Sequence, residues 1–314
     1  MARVASIDIG TNSLRVLVAE LEGPKGLKRL WGDRRIVRLG QGLHGSGNLN
    51  ESVMNRAVET VQQFVAEAKA LGARGILVGA TSAVREAANR ELLLRRVEQE
   101  AGVRPRVLTG LEEALWTLEG IRWLWEQPPP SWLAADVGGG STELILAGAE
   151  GTCSATSVPL GMVRLSEEFL EEDPPGAEAV AACRERAREM IREALGSLGQ
   201  GAIEPPPVLV GTAGTVTTLA ALEVAMRVYD GDAIHGMQLL GSVIKSWSRR
   251  LSKMDCRARR ALPGMEPGRE DVILAGAIIV EELMELVGAE ALLVSDHGLL
   301  EGMARLVPIY GQPL

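Results

Sequence analysis

Aromatic residues, cysteine and histidine are all scarce in this sequence. Only 3% of the 314 residues are aromatic, so alanine, leucine and valine carry the apolar content of the core. The three cysteines, Cys153, Cys183 and Cys256, lie far apart and form neither a disulfide framework nor a zinc-binding spacing. The three histidines are equally scattered. We therefore expect any bound metal to be held by carboxylates and water.

Long hydrophobic runs and excess positive charge are also absent. The longest apolar run, Val272 to Val280, continues into Glu281 and Glu282 and is too short to span a bilayer. The chain opens on a core strand, so we expect no signal peptide, a cytoplasmic location and no membrane partner. A formal net charge of −8 argues against non-specific binding to nucleic acid. A polyanionic substrate would need a local cationic patch.

The stretch LAADVGGGSTELIL, Leu133 to Leu146, has the pattern of strand, tight turn and strand. Asp136 stands at the end of the first apolar run and Glu143 at the start of the second. The glycine-rich turn between them exposes backbone N–H groups, which bind anions and above all phosphate. The two carboxylates would repel a phosphate unless a hard cation such as Mg²⁺ lay between them. The stretch thus indicates a metal–phosphate site, although an ordinary glycine-rich hairpin has the same pattern.

The N-terminal stretch, Val4 to Glu20, repeats this pattern. When Asp8 is aligned with Asp136, the first turn glycine, the turn serine and the returning apolar strand all coincide. A supersecondary unit repeated so far along the chain predicts two similar domains. We expect the two phosphate-binding hairpins to face each other across a cleft.

Strands alternate with helices along the rest of the chain, which predicts the α/β class. Three consecutive prolines begin at Pro128, just before the repeat, and place a domain boundary between residues 127 and 128. A second proline break follows at Pro205 to Pro207. The strand that comes next runs into GTAGT, Gly211 to Thr215, and then into a helix, whose N-terminus is a natural anion site.

Several charged residues are candidates with two interpretations. Glu113 lies at a helix start, where it either stabilises the helix dipole or acts as a general base for a water. Arg85 is either a surface helix residue or a phosphate clamp. A helix is predicted over Leu239 to Met254, and a stripe of basic residues begins near its end. The spacing of the stripe allows one helical face to hold all of it, either as a solvated face or as a guide for a polyanion. The stripe is Arg250, Lys253, Arg257 and Arg260, and a third predicted strand, Trp31 to Leu39, adds Arg34, Arg35 and Arg38.

Seven motifs in order resemble those of the exopolyphosphatase / guanosine pentaphosphate phosphohydrolase family. The resemblance spans nearly the whole chain, and its motifs are specific in combination. They are DIGTNSLR (Asp8 to Arg15), ATSAVREAAN (Ala80 to Asn89), TGLEEA (Thr109 to Ala114), DVGGGSTEL (Asp136 to Leu144), GTAGT, LPGMEPGREDVILAG (Leu262 to Gly276) and SDHGLLEG (Ser295 to Gly302).

This resemblance implies two ribonuclease-H-like domains of the actin, sugar-kinase and heat-shock ATPase superfamily, with the active site in the interdomain cleft. The domains would be residues 1–127 and 128–298, with a final helix, about 299–314, packing back on the first. The resemblance also implies a homodimer. Many family members continue into a further helical region, whereas this sequence has the short form.

The resemblance also implies roles for individual residues. Glu113 matches the catalytic glutamate, and Asp136 and Glu143 match the residues that organise Mg²⁺ and the attacking water. Asp8, which coincides with Asp136 in the repeat, is a further candidate metal ligand. The residues that match phosphate contacts are Asn12, Ser13, Arg85, Gly138, Gly139, Gly140, Ser141, Gly211, Thr212, Ala213, Gly214 and Thr215.

The function expected from this resemblance is Mg²⁺-dependent hydrolysis of the terminal phosphoanhydride of inorganic polyphosphate, with release of orthophosphate. A guanosine pentaphosphate 5′-phosphohydrolase would use the same residues. An ATP-dependent kinase of the same superfamily is a third possibility, although the TGLEEA glutamate favours water as the nucleophile. A sensor that binds polyphosphate or the alarmone without turnover is the alternative that is not an enzyme.

Overall fold

The computed structural model describes residues 2–22, 26–148, 151–199 and 208–314. Pro205 to Pro207 and the side chain of Cys153 lie outside the described residues. The chain divides into two compact units, the first formed by Met1–Gly120 with Gly298–Leu314 and the second by Ile121–His297. Among the described residues, no helix combines the length and the apolar character needed to cross a membrane.

The first unit begins with a meander of strands. The helix that follows Asn50 is capped by that residue, because the Asn50 side chain accepts a hydrogen bond from the backbone N–H of Ser52 at 2.9 Å. The strands are β1 (Ala2–Ile9), β2 (Ser13–Glu22), β3 (Gly26–Ile36), β4 (Gly75–Ala80) and β5 (Arg106–Val107). The helices are α1 (Leu43–Ser46), α2 (Glu51–Ala70), α3 (Ser82–Glu86), α4 (Arg90–Ala101) and α5 (Gly110–Ile121).

The second unit repeats the meander and adds longer helices. Its strands are β6 (Ser131–Val137), β7 (Thr142–Gly148), β8 (Gly151–Val158), β9 (Val208–Thr212), β10 (Gln238–Leu240) and β11 (Ala291–Val294). Its helices are α6 (Met162–Phe169), α7 (Ala177–Ser197), α8 (Ala213–Glu223), α9 (Gly231–Ile234), α10 (Gly241–Leu251), α11 (Cys256–Arg260) and α12 (Ile273–Val287). The chain then returns to the first unit through α13 (Leu299–Tyr310) and β12 (Gln312–Pro313).

The two sheets have the same topology. In the first sheet the order is β12-β4-β1-β2-β3, with β5 on β4, and in the second it is β10-β11-β9-β6-β7-β8. In each sheet the first three strands are antiparallel, and the first of them pairs in parallel with the strand that follows a crossover. This arrangement confirms the predicted α/β class and the ribonuclease-H-like order of both units.

The C-terminal segment completes the core of the first unit. Helix α13 lies on one face of the sheet, where the Ser6 hydroxyl donates to the Leu300 carbonyl at 2.8 Å. Gly302 lets the helix approach α5 so closely that a methyl group there would overlap the carbonyl of Trp116. Strand β12 then pairs antiparallel with β4. The opposite face of the sheet is covered by α2, so both faces are buried.

The core of the second unit is built around α12, which is buried along nearly its whole length. Gly276 interrupts the large apolar side chains of this helix and permits close packing. A methyl group at Gly276 would lie 2.6 Å from Cγ2 of Thr215. Glycine therefore allows α12 to pack directly beneath the GTAGT loop.

The helix predicted over Leu239 to Met254 is present but shorter, and the prediction of a single basic face is wrong. The segment begins as β10, α10 ends at Leu251, and a new helix begins after Asp255, whose carboxylate accepts from the Ala258 N–H at 2.7 Å. This cap starts a separate helix, α11, and so divides the basic residues. Arg250 belongs to α10, Lys253 to the connecting turn, and Arg257 and Arg260 to α11.

The third strand also ends earlier than predicted. Strand β3 stops at Ile36, so Arg38 lies outside it with a left-handed backbone at φ 58°. Helix α6 was not predicted. Its first turn packs against the glycine turn of the second unit, as described below.

Candidate active site

The first hairpin holds a buried carboxylate beside an arginine. Register places Asp8 of β1 directly opposite Arg15 of β2, and Arg15 donates to Asp8 Oδ2 through Nε at 3.1 Å and Nη2 at 2.8 Å. Asp8 is only 4% exposed, and its Oδ1 is buried without a hydrogen-bond partner among the described residues. A buried oxygen in this state is costly unless a ligand supplies a partner.

Asn12, in the turn of this hairpin, has a second unsatisfied atom. Its Nδ2 is buried and has no partner in the described part of the chain. Its carbonyl, by contrast, accepts from the N–H groups of Val37 at 3.1 Å and Arg38 at 2.8 Å, and the Thr11 carbonyl accepts from Gly40 at 2.9 Å. The segment after β3 thus ties up carbonyl oxygens that would repel an anion, while the amide of Asn12 keeps a donor for one.

The second hairpin repeats this construction. Its turn is closed by a hydrogen bond from Gly138 N–H to the Ser141 carbonyl at 3.0 Å, and the equivalent bond in the first hairpin, Gly10 to Ser13, is 3.2 Å. The first turn of α6 donates to the turn carbonyls, from Met162 to Gly138 at 3.1 Å and from Val163 to Gly139 at 2.9 Å. In both units, therefore, a neighbouring segment binds the carbonyl side of the glycine turn.

The charges that flank the second turn differ from those of the first. Register places Asp136 directly opposite Glu143, at the position that Arg15 occupies relative to Asp8. Both carboxylates are buried, at 6% and 1% exposure, and Glu143 Oε1 accepts from the Ser157 hydroxyl at 2.7 Å. Like charges directly opposite each other in a sheet are destabilising. A cation bound between them would remove this repulsion.

The donor set at this position fits a hard divalent cation. Asp136 and Glu143 offer carboxylate oxygens, which Mg²⁺ prefers, and Mg²⁺ commonly keeps several of its waters. Across the described ranges, no cluster of three or more histidine, cysteine, aspartate or glutamate side chains could hold a metal. In the second unit, Asp136 and Glu143 would be the carboxylate ligands, with water completing the coordination.

The GTAGT loop joins β9 to α8 through a strained residue. Ala213 adopts a left-handed conformation at φ 65°, which a residue other than glycine rarely takes outside functional sites. The loop is fixed on both sides: the Thr215 hydroxyl donates to the Val137 carbonyl and the Thr212 hydroxyl donates to the His297 carbonyl, both at 2.8 Å. The loop is thereby held beside the end of β6, which carries Asp136.

Arg269 is a site residue to which sequence reasoning gave no role. It is 2% exposed, its Nε donates to Glu266, and its Nη1 is buried with no partner among the residues described. Its guanidinium lies directly on Gly214, where a methyl group would overlap it. The sequence could have indicated Arg269 through its position in the motif LPGMEPGREDVILAG. Its contact with GTAGT, however, is formed only in the folded chain.

The structure separates the roles of the two acids in TGLEEA. Glu112 acts as the local cap, because its Oε2 accepts from the Thr109 N–H at 2.9 Å and the Thr109 hydroxyl at 3.0 Å. Glu113 is 7% exposed and accepts from Arg85 Nη1 at 2.9 Å. The same Nη1 donates to the Leu108 carbonyl at 2.9 Å. Arg85 is thus partly buried and holds Glu113 in place, rather than being a surface helix residue.

The two scattered histidines of the second unit meet beside the GTAGT loop. The rings of His235 and His297 lie 4.5 Å apart, and His235 Nδ1 accepts from the Asp296 N–H at 3.2 Å. Burial lowers the pKa of His235, and the neighbouring His297 lowers it further. These contacts give both histidines a structural role, since they join the turn after α9 to the end of β11.

The basic candidates belong to several different elements. In the first unit, Arg34 lies opposite Arg15 in the sheet register, whereas Arg35 is exposed and pairs with Asp33 at 2.9 Å. In the second unit, the Arg250 guanidinium lies over the Trp247 ring at 4.8 Å, and Arg260 pairs with Glu270. These contacts give several of the arginines structural roles of their own.

Comparison with known proteins identifies the class to which this site belongs. A model of the Ppx/GppA phosphatase family matches residues 17–306, so the chain belongs to that family. It is 36% identical to Exopolyphosphatase 2 of Mycobacterium tuberculosis, over 97% of this chain and 98% of that protein.

Solved structures agree with this assignment. The Aquifex aeolicus member of the Ppx/GppA family is 31% identical, with a TM-score of 0.79 over 97% of this chain and 96% of that chain. An exopolyphosphatase from Cytophaga hutchinsonii is 26% identical, with a TM-score of 0.85 over 96% of each chain.

The contrasting geometry of Ala213 and Gly214 gives a paired prediction. Ala213→Gly removes the Cβ atom from a residue with a left-handed backbone. We therefore expect it to raise the free energy of unfolding by about 1 kcal/mol, and the melting temperature with it. Gly214→Ala forces a methyl group into the Arg269 guanidinium and should cost about 1–3 kcal/mol. Thermal unfolding with and without tripolyphosphate measures both effects. We expect the stabilisation by tripolyphosphate to be lost only in Gly214→Ala, and wild-type behaviour of that variant would contradict the close packing.

Proposed function

We propose that this protein is an exopolyphosphatase, which hydrolyses the terminal phosphoanhydride of inorganic polyphosphate and releases orthophosphate. The observation that carries the proposal is the pair of equivalent hairpin turns. In each turn, backbone N–H groups of a neighbouring segment donate hydrogen bonds to the carbonyl oxygens. In the first turn, the amide of Asn12 retains an unused buried donor. Near full-length similarity to Exopolyphosphatase 2 supports polyphosphate as the substrate.

Glu113 is the proposed general base. It would orient and deprotonate a water for attack on the terminal phosphorus, with the bridging oxygen as the leaving group. The ion pair with Arg85 keeps the carboxylate in one rotamer. Because the transition state of phosphoryl transfer is loose, positioning and charge stabilisation dominate its rate.

The phosphate groups are bound mainly by backbone N–H groups and small polar side chains. In the first unit the proposed contacts come from Asn12 and Ser13, with Arg85 contributing its remaining guanidinium nitrogens. In the second unit they come from Gly138 to Ser141 and from Gly211 to Thr215. Turns and helix N-termini of this kind bind phosphate without a large positive surface. They reconcile a polyanionic substrate with a net charge of −8.

Mg²⁺ is the proposed cofactor, with Asp136 and Glu143 as the residues that would hold it. When bound, it would neutralise charge on the phosphoryl oxygens. Asp8 is a weaker candidate ligand, because Arg15 already neutralises it and occupies its Oδ2. A cytoplasmic location and a homodimer are further parts of the proposal.

Guanosine pentaphosphate is the second candidate substrate, since its terminal phosphoanhydride has the same chemistry and the family name covers both activities. A kinase is disfavoured because the site offers a glutamate placed to activate water. A sensor without turnover is disfavoured because Glu113, Asp136 and Glu143 are all present.

Replacing Glu113 tests the proposal against a control one residue away. Glu113→Gln keeps the shape and removes the base, so phosphate release from polyphosphate should fall at least about 100-fold with substrate binding retained. Glu112→Gln removes an equal charge from the cap and should leave turnover near wild type. Malachite-green detection of orthophosphate would measure both variants. Wild-type turnover in Glu113→Gln would refute its assignment as the base.

The basic residues make a separate prediction about chain length. If Arg34, Arg35, Arg250, Lys253, Arg257 and Arg260 guide a long polyanion, their neutralisation to glutamine should raise KM more for long polyphosphate than for tripolyphosphate. Arg95→Gln, on the exposed face of α4, is the matched control for loss of one positive charge. An equal effect on both substrates would show that these residues form solvated faces.

A further inference from the structure

The turn after β11 supports the GTAGT loop through hydrogen bonds to two of its residues. The Ser295 N–H donates to the Gly211 carbonyl at 2.8 Å. The His297 carbonyl accepts from the Thr212 hydroxyl and from the Ser295 hydroxyl, both at 2.8 Å. This turn, residues 295–297, therefore bonds to the loop at the two positions that precede the left-handed Ala213. A displacement of the turn would reach the loop directly through these hydrogen bonds.

The segment around α9 holds this turn at its middle residue. The Tyr229 hydroxyl donates to Asp296 Oδ1, and a methyl group at Gly231 would overlap the Asp296 carboxylate. At the end of the helix, His235 Nδ1 accepts from the Asp296 N–H at 3.2 Å. His235 thus fixes the backbone of the turn, whereas Tyr229 fixes its side chain.

The hydrogen bond from Asp296 requires a neutral imidazole. A backbone N–H can only donate, so Nδ1 of His235 must carry no proton, and the neutral ring keeps its hydrogen on Nε2. Protonation would place an N–H at Nδ1 directly against the Asp296 N–H and break the hydrogen bond. The ring of His297 lies 4.5 Å from that of His235, so two imidazolium rings would also repel each other.

The groups around His235 favour the neutral ring on balance. Burial lowers the pKa of His235 and His297 lowers it further, whereas the carboxylates of Asp296 and Asp232 oppose this shift. The Asp230 carboxylate is engaged in capping α9, where it accepts from the Asp232 N–H at 3.1 Å. Because the pKa in the folded state lies below its ordinary value, the hydrogen bond contributes fully above about pH 6.5 and is lost as the pH falls through the lowered pKa.

We propose that His235 is a positioning residue for the GTAGT loop, because its neutral ring fixes the turn of residues 295–297 and protonation releases that turn. The inference rests on the proposed function, since it takes GTAGT to be a phosphate-binding loop. It requires no contact between His235 and the substrate. The consequence is an apparent affinity for polyphosphate that weakens in mild acid.

Four variants separate the hydrogen bond from the charge. In His235→Asn, Oδ1 is as many bonds from the backbone as Nδ1 of histidine, so it can accept from the Asp296 N–H and does not titrate. His235→Leu keeps much of the side-chain volume and removes the acceptor. His297→Gln removes the ring that lowers the pKa of His235. His44→Asn, at an exposed residue of α1 in the first unit, is the matched control.

Three quantities are measured between about pH 5.5 and pH 8. They are KM and kcat for polyphosphate, the rise in melting temperature caused by tripolyphosphate, and the titration of the three histidine rings by proton NMR. Towards the acid end, the wild-type KM should rise about three- to tenfold relative to that of His235→Asn, with similar kcat values. Ionisation of the substrate and of Glu113 affects both proteins, so the ratio of their KM values isolates His235.

The other variants have distinct expected results. His235→Leu should show the raised KM and the smaller tripolyphosphate shift throughout the pH range, because it lacks the acceptor at every pH. His297→Gln should move the acid rise in KM to higher pH. His44→Asn should match wild type.

The same pH dependence of KM in wild type and His235→Asn would overturn the role of His235. So would a His235→Leu protein that melts lower but keeps the wild-type KM and tripolyphosphate shift, since His235 would then be only structural. If the wild-type protein released no phosphate from polyphosphate, the proposed function would fail, and the pH dependence of the tripolyphosphate shift would still decide the role of His235. A wild-type protein without that shift would overturn both.

Discussion

The charge that faces the aspartate at the start of each hairpin turn is the constraint on which this structure depends. In the first unit Asp8 faces Arg15, and the pair is close to neutral. In the second unit the same register places Asp136 directly opposite Glu143, so two buried carboxylates face each other. Under the proposed function, the first hairpin would meet a phosphate directly, whereas the second would bind a cation first. The duplicated fold would then provide two different phosphate sites.

The proposed anion binding depends on the other segments that bind the carbonyls of the turns. The strained segment after β3 does this in the first unit and the start of α6 in the second, with Gly161 allowing α6 to approach the glycine turn. A residue with a left-handed backbone lies in this region of each unit. Arg38 follows β3 beside the first turn, and Ala213 lies in the GTAGT loop, where the hydroxyls of Thr212 and Thr215 hold the backbone on both sides. Rigid peptide groups of this kind need little reorganisation when a phosphate binds.

Much of this could be predicted from the sequence, because the hairpins are local and repeated. Their strands, the start of α2 and the strand before GTAGT all follow from short-range patterns. The resemblance selected Glu113 over Glu112, but the residue pattern alone does not, since the difference depends on which acid reaches Arg85 from another element. The contact of Arg269 with Gly214 is tertiary in the same way. The break between α10 and α11 was missed because basic residues continue at helical spacing across the Asp255 cap, and the domain boundary at residues 127/128 stays a prediction.

The most direct test of the central claim is the effect of Glu143→Gln on Mg²⁺ binding and on stability without Mg²⁺. Titration calorimetry with tripolyphosphate present would give the affinity, and thermal unfolding in chelator would give the stability. If Asp136 and Glu143 form a repulsive pair that a cation joins, the variant should lose at least about tenfold in Mg²⁺ affinity and melt no lower than wild type in chelator. Unchanged Mg²⁺ affinity together with a lower melting temperature would show that Glu143 is a structural residue and would contradict the account.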